Sequence, residues 1–279
     1  MKSTRLFLLG ISLITFSFYA CKKENTLTEN DVESLSAQRQ MEFVQAEMEN
    51  VEEIADNEMP SDGPNGERPD SFPDSPCATR VWTGDSIQRI LTIDYGINPC
   101  LCIDSVYRSG KIKIVFNGKK HVIGSTKIVN FIDYNVNAHL LNGTIESVYK
   151  GNAVFNRKIV EMNMQFEGRI SNWKGEEMIK ILAGFETPTK RDNIKSVVGK
   201  TWGKNLNGVN YERKIIKPLI RKNDCSSFFI NGTIRTENER GNTILLDFNP
   251  FQDEACDNLA TISINNNEPQ LITLSHRIR

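Results

Sequence analysis

The sequence predicts a mainly β protein, an antiparallel sandwich, barrel or curved sheet with an internal duplication, preceded by a short N-terminal helix. Three observations carry that reading. From Cys77 onward, short segments rich in Ile, Val, Thr, Phe and Tyr alternate with Gly, Asn and Asp turn signals. No helical pattern of useful length separates those segments, so parallel crossovers are excluded. The only helical periodicity lies ahead of them, before a proline-rich stretch.

The first 20 residues read as an export signal. Lys2 and Arg5 precede an apolar run over residues 6–20, too short to span a bilayer as a helix but suited to a signal-peptide core. The run ends in Ser17-Phe18-Tyr19-Ala20-Cys21, which resembles a lipobox. That resemblance implies cleavage before Cys21 and lipidation of its thiol. Two acyl chains make such an anchor stable where one does not. Lys22 and Lys23 follow the cysteine where an inner-membrane retention signal would place Asp. The expected location is therefore the outer membrane, facing the periplasm or the cell surface.

Residues 21–76 read as a lipidated acidic tether. Residues 22–76 hold 4 Lys/Arg against 15 Asp/Glu, a net charge of −11, whereas residues 77–279 hold 28 against 20, a net +8. Within the tether, residues 31–57 show a helical stripe of Val44, Met48, Val51 and Ala55, with Ile54 beside it, and Asn30 or Asp31 is placed to cap its start. Glutamates fill the other face. The stripe is thin, so the helix needs a partner to be stable: it docks on the body, pairs with another chain or stays partly unfolded. Residues 59–76 carry Pro60, Pro64, Pro69, Pro73 and Pro76 and read as an extended linker, holding the body away from the membrane.

The body, residues 77–279, divides into predicted strands at 89–95, 111–117, 126–136, 138–149, 153–170, 177–185, 197–204, 210–218, 226–236, 242–248, 259–265 and 270–275. Two stretches, about 77–118 and 225–275, echo each other. Leu91-Thr92-Ile93-Asp94-Tyr95, Cys102 and Ile112-Lys113-Ile114 match Ile244-Leu245-Leu246-Asp247-Phe248, Cys256 and Ile262-Ser263-Ile264, with Cys77 and Cys225 upstream. Asn142-Gly143-Thr144-Ile145 and Asn231-Gly232-Thr233-Ile234 form a separate echo. In an exported chain the cysteines favour disulfides. The duplication pairs Cys225 with Cys256 and Cys77 with Cys102, leaving Cys100 as the spare thiol.

The search for chemistry yields little. His121, His139 and His276 sit in or beside strands without a motif and read as surface residues. Ser147-Val148-Tyr149-Lys150 and Ser171-Asn172-Trp173-Lys174 match Ser-x-x-Lys on strands, where the catalytic version needs a buried helix start. Asn205-Leu206-Asn207-Gly208-Val209-Asn210 lacks the carboxylates of a calcium loop and reads as a hairpin turn. Trp82, Trp173 and Trp202 read as core residues or, failing that, as a sugar-stacking platform. Asp85-Ser86-Ile87 and Asp104-Ser105-Val106 resemble the short O-glycosylation sequon of Bacteroidota-type exported proteins.

Beyond these motifs the body resembles a widespread family of uncharacterised Bacteroidota-type exported lipoproteins. The residues that carry the likeness are Ile93-Asp94-Tyr95-Gly96, Cys102-Ile103-Asp104, Arg108-Ser109-Gly110-Lys111-Ile112, Gly184-Phe185-Glu186-Thr187-Pro188-Thr189, Asn207-Gly208-Val209-Asn210-Tyr211 and Cys256-Asp257-Asn258-Leu259-Ala260-Thr261. The chain departs from the family where Asn249-Pro250-Phe251 replaces the Gly that follows the second Asp-aromatic pair. The resemblance implies an envelope location, a β-rich body and an acidic tether, and no activity. The expected role is non-enzymatic binding or structural support, with a lipid or glycan carrier and an envelope hydrolase or thiol enzyme as the alternatives. The expected partners are the membrane through the lipid, an anionic glycan or lipopolysaccharide drawn by the basic body, and envelope proteins. No nucleic acid, metal or cofactor is expected.

Overall fold

A computed structural model describes residues 29–59 and 78–274, apart from 86, 103, 188–191 and 226–227. The signal segment, Cys21, Cys77, His276 and most of the proline-rich linker lie outside the described residues.

One helix, α1 (Glu29–Glu58), precedes fourteen strands. They are β1 (Thr79–Gly84), β2 (Gln88–Asp94), β3 (Cys100–Leu101), β4 (Tyr107–Asn117), β5 (Thr126–Val136), β6 (His139–Gly151), β7 (Val154–Phe166), β8 (Arg169–Ala183), β9 (Ile194–Lys204), β10 (Asn210–Lys222), β11 (Asn231–Asn238), β12 (Thr243–Asp247), β13 (Leu259–Ile264) and β14 (Gln270–Thr273). All belong to one antiparallel sheet in the order β1-β2-β4-β5-β6-β7-β8-β9-β10-β11-β12-β13-β14, with β3 paired to β4. The sheet is not closed. Of the predicted architectures, it is the curved sheet. Strands β1 and β3 are additions to the predicted set. The expected strand over 153–170 is broken into β7 and the start of β8, which runs on into the expected strand at 177–185, because Glu167 and Gly168 take φ of 49° and 74° and reverse the chain.

Burial alternates along the strands. In β8, Ser171, Trp173, Gly175, Glu177, Ile179 and Ile181 face inward while Asn172, Lys174 and Lys180 face out. A fourteen-stranded sheet with one apolar face must cover that face, and this one curls around α1. Glycines and bulges supply the curvature. Gly110 sits at a register shift between Ser109 and Lys111 with φ 80°. The two Asn-Gly-Thr-Ile echoes also mark irregular pairing. Gly143 lies opposite the shift between Phe131 and Tyr134, and Gly232 lies beside the shifts of β10.

The duplicated units are matching strand pairs. Leu91 and Ile93 pair with Ile114 and Ile112 across β2–β4, and Ile244 and Leu246 pair with Ile264 and Ile262 across β12–β13. Asp94 Oδ1 accepts the Gly96 N–H at 2.8 Å, and Asp247 Oδ1 accepts the Asn249 N–H at 2.9 Å. Asn249 can replace the glycine because its own Oδ1 accepts the Asp253 and Glu254 N–H groups at 3.0 and 3.2 Å and ties down the next turn.

The helix is built from strong formers, with no Gly or Pro between Glu29 and Glu58. It starts at Glu29, so Asn30 and Asp31 fall inside its first turn rather than capping it. Side-chain bonds from Gln38 to Glu42 (2.5 Å) and from Gln45 to Glu49 (3.0 Å) stitch successive turns. Every residue from 42 to 49 is buried. The predicted stripe packs on one wall of the sheet, Val44, Met48, Val51 and Ala55 against Leu91, Ile93, Ile112, Val129, Phe131 and Ile145. Ala46 and Leu35 meet the other wall, built from Ile179, Val197, Leu219, Ile234, Leu246 and Ile262. The helix is therefore the core of the body and not a spacer. Glu58 pairs with Arg80 at 3.1 Å, which ties the two ends of the proline-rich segment together.

An up-and-down meander places alternate turns on opposite rims. One rim carries 95–106, 137–138, 167–168, 205–209, 239–242 and 265–269; the other carries 85–87, 118–125, 152–153, 184–193, 223–230 and 248–258. The helix enters at the first rim, where Glu33 meets Arg240 at 3.2 Å and Gln40 meets His139 at 2.7 Å. It ends towards the second, where Asp56 meets Lys127 and Lys195 near the starts of β5 and β9.

Candidate functional site

The chemistry of the molecule is concentrated between the inner wall and α1. Six cations project inward from the sheet: Arg108, Lys127, Arg157, Lys195, Arg213 and Arg221, all buried. Each shares its strand face with buried apolar neighbours, as Arg157 does with Phe155 and Ile159, and Arg213 with Tyr211. Acids on the helix meet them.

Arg108 makes the densest junction. Its Nε and Nη2 donate to the two oxygens of Glu47 at 3.0 and 2.9 Å, and Nη1 and Nη2 donate to Asp104 at 2.8 and 2.7 Å. The Tyr134 hydroxyl donates to Glu47 at 2.5 Å. Burial and the Glu47 charge push the Tyr134 pKa well up, so this phenol remains a donor. Arg157, with its side chain fully buried, reaches Glu49 and Glu177, each at 2.5 Å. Lys127 bridges Glu52, at 2.6 Å, and Asp56, and Lys195 reaches Asp56 at 2.9 Å. Arg213 holds Glu42 at 2.6 Å. Arg221 holds Glu53 at 3.3 Å and donates to Asn50 at 2.8 Å.

Four of the carboxyl groups, Glu42, Glu49, Glu53 and Asp56, divide by the balance between burial, which raises their pKa, and nearby cations, which lower it. Asp56, between two lysines, is held well below the usual range. Arg157 outweighs burial at Glu49, which is also lowered. At Glu42 burial wins over Arg213, and at Glu53 it wins over Arg221 and Lys195, so both are raised. The pairs also fix the register of the helix. Sliding it by one turn moves each acid about 5.4 Å from its cation.

The sequence alone placed these glutamates on the face opposite the apolar stripe. The structure buries that face as well: Glu42, Glu47, Glu49 and Glu52 are 1–3% exposed. Their partners lie on strands 61 to 171 residues away, beyond the reach of any local pattern. The available signal was a cation at the inward parity of an otherwise apolar strand.

His139 is also corrected, from surface to core. It is fully buried, stacked on Phe166 at 4.1 Å, with Nδ1 2.9 Å from the Asn137 carbonyl oxygen and 3.1 Å from that of Val136. Burial pushes its pKa down and keeps the ring neutral. His121 remains a rim residue, 3.8 Å from Glu186 and edge-on to Phe185. Neither Ser-x-x-Lys match forms a dyad, since Ser147 and Ser171 face inward and Lys150 and Lys174 outward. The Ser171 hydroxyl donates to the Lys204 carbonyl at 2.7 Å. Asn205 Oδ1 accepts the N–H groups of Asn207 and Val209, which makes 205–209 a tight turn. Trp173 is core, while Trp82 and Trp202 stand on separate strands, so the three form no platform. The aspartates of both sequon-like triplets are engaged in turns, Asp85 accepting the N–H groups of Ile87 and Gln88 and Asp104 that of Val106.

Cys225 and Cys256 form a disulfide, with Cα atoms 5.1 Å apart. At the other unit the expected assignment is reversed. Cys100 is disulfide-bonded and Cys102 carries the thiol, buried, with its Sγ 3.7 Å from the Cys100 carbonyl oxygen. The proposed partner, Cys77, lies outside the described residues. Cys102 follows the short strand β3 and is buried in the core with Val106.

Between α1 and the sheet a cavity of about 20 Å³ remains, touched by Met48, Trp173, Tyr211 and Arg213, room for a single water. Among the described residues no group of three or more His, Cys, Asp or Glu could hold a metal, and no helix is long and apolar enough to cross a membrane. No protein-family model, curated protein or solved structure matches the chain.

Proposed function

We propose that this chain is an exported, lipid-anchored envelope protein with a non-enzymatic binding or structural role. The observation that supports this is the filling of the curved sheet by its own helix. The concave face is where a sheet of this kind would hold a ligand. Among the described residues it is occupied along the helix by packed side chains and ion pairs, with a water-sized gap beside Met48, Trp173 and Arg213. Recognition then falls to the outer face and the rims, and the helix makes the sheet a stiff scaffold for them. The lipobox at Cys21 supports the membrane address.

A second reading is a carrier for an anionic amphiphile. It is favoured by the inner wall itself, which combines six cations with apolar rows once α1 is removed. That reading requires the helix to leave its pairs. Native mass spectrometry of protein purified gently from its own envelope separates the two. The expected result is the mass of the chain from Cys21 with its acyl chains and no other adduct. A bound lipid or glycan beyond the anchor would instead establish the carrier.

A further inference from the structure

We propose that the 95–102 segment is a membrane-docking wedge, which seats the anchored body on the lipid surface with the helix-entry rim facing the bilayer. The inference rests on the lipid-anchor reading and adds an orientation to it. Seven residues, 22–28, separate Cys21 from the start of α1 at Glu29. At about 3.5 Å per residue they reach no further than roughly 25 Å. The helix starts at the rim that carries the 95–102 segment, so an anchor at Cys21 holds this rim, and not the other, beside the bilayer.

The loop is suited to that surface. From Tyr95 to Cys102 the sequence contains no charged residue, and Ile97 is 94% exposed. Leu101 and Tyr107 pair across β3 and β4 and are each 50% exposed. The flanking carboxylates are neutralised within the protein. Asp94 pairs with Lys111 at 2.9 Å and Asp104 with Arg108 at 2.7 Å. An apolar tip with a tyrosine beside it is the side-chain chemistry of a membrane interface. The other turns of this rim expose polar residues, at Asn137-Ala138, Glu167-Gly168, Glu239-Arg240-Gly241 and Asn265-Asn266-Asn267, and in 205–209 the apolar Leu206 and Val209 are buried. One apolar wedge among polar turns gives shallow insertion at one point.

The test uses the full lipidated protein in vesicles of phosphatidylethanolamine and phosphatidylglycerol, with brominated acyl chains as quenchers. Ile97→Trp adds a fluorophore at the wedge, and Phe251→Trp adds one at the opposite rim, where Phe251 is 58% exposed. The added emission at 97 should shift to the blue and lose at least about half its intensity to brominated lipid, while that at 251 should not. Equal quenching at both positions, with acylation of Cys21 confirmed by intact mass, overturns the wedge and leaves the anchor standing. A blue shift at 97 without lipid quenching also overturns it, because another protein or a second copy then covers the loop. An unacylated Cys21 sinks the anchor reading, and the wedge falls with it.

Discussion

Replacing Arg157 with methionine tests whether α1 is held by ion pairs or merely by apolar contact. The side chain of Arg157 is wholly buried between Glu49 on the helix and Glu177 on β8. Methionine fills similar space but leaves two buried carboxylates without a cation. Removing one partner of a buried pair costs about 3–5 kcal/mol, mostly the penalty on the charge left behind. For a body of this size each kcal/mol moves the melting temperature by about 2–4 °C, so the expected fall is about 6–20 °C at pH 7. The pH dependence follows from Glu49. Burial raises its pKa, but the Arg157 charge and hydrogen bond outweigh burial and hold it below the ordinary value of 4.5. Its stabilising contribution is therefore present above that value and is lost as pH falls through the lower folded one. In Arg157→Met the carboxyl loses its cation, its pKa rises, and it protonates readily as the pH drops. The gap between parent and variant should narrow below about pH 5. Adding Glu49→Gln and Glu177→Gln to Arg157→Met should recover most of the loss at pH 7. Differential scanning calorimetry from pH 4 to pH 8 reads both effects. A fall of less than about 2 °C at pH 7, or a gap that widens in acid, would refute the reasoning.

Three further outcomes are expected. Asp56→Asn leaves Lys127 and Lys195 buried without their shared carboxylate, and its urea midpoint at pH 7 should fall by the equivalent of about 3–5 kcal/mol; an unchanged midpoint would show that water already screens the pair. Gly232→Ala forces a side chain onto φ 113° and against the Pro218 carbonyl, so thermal melting should register a loss above about 1 kcal/mol, whereas Gly208→Ala, in open space at φ 73°, should lose less. Cys225→Ser with Cys256→Ser opens a loop of 31 residues and should cost about 3–4 kcal/mol in the chain-entropy model, read as a lower denaturant midpoint that the parent reproduces only under reducing conditions.

The β class, the turns and the Cys225–Cys256 bridge were legible in the sequence because their signals are local or repeated. Period-two alternation reports a half-buried strand wherever it occurs, and Asn117-Gly118 or Glu239-Arg240-Gly241 mark turns by their own conformational freedom. The stripe Val44, Met48, Val51 and Ala55 likewise announced a helix that needed a partner. Local pattern stops there. A glutamate on a helix looks the same whether it meets water or Arg157 more than a hundred residues away, and 42–49 reads as amphipathic although it is buried on every side. Likewise, Cys100 lies on β3 and Cys102 just after it, and only the fold decides which of them faces the core. The sequence by itself determined the β class, most of the strands and the one face each of them must bury. Only the tertiary structure decided what covers that face, because the matching of acids on one element to cations on five strands is a property of the assembled sheet and of no segment within it.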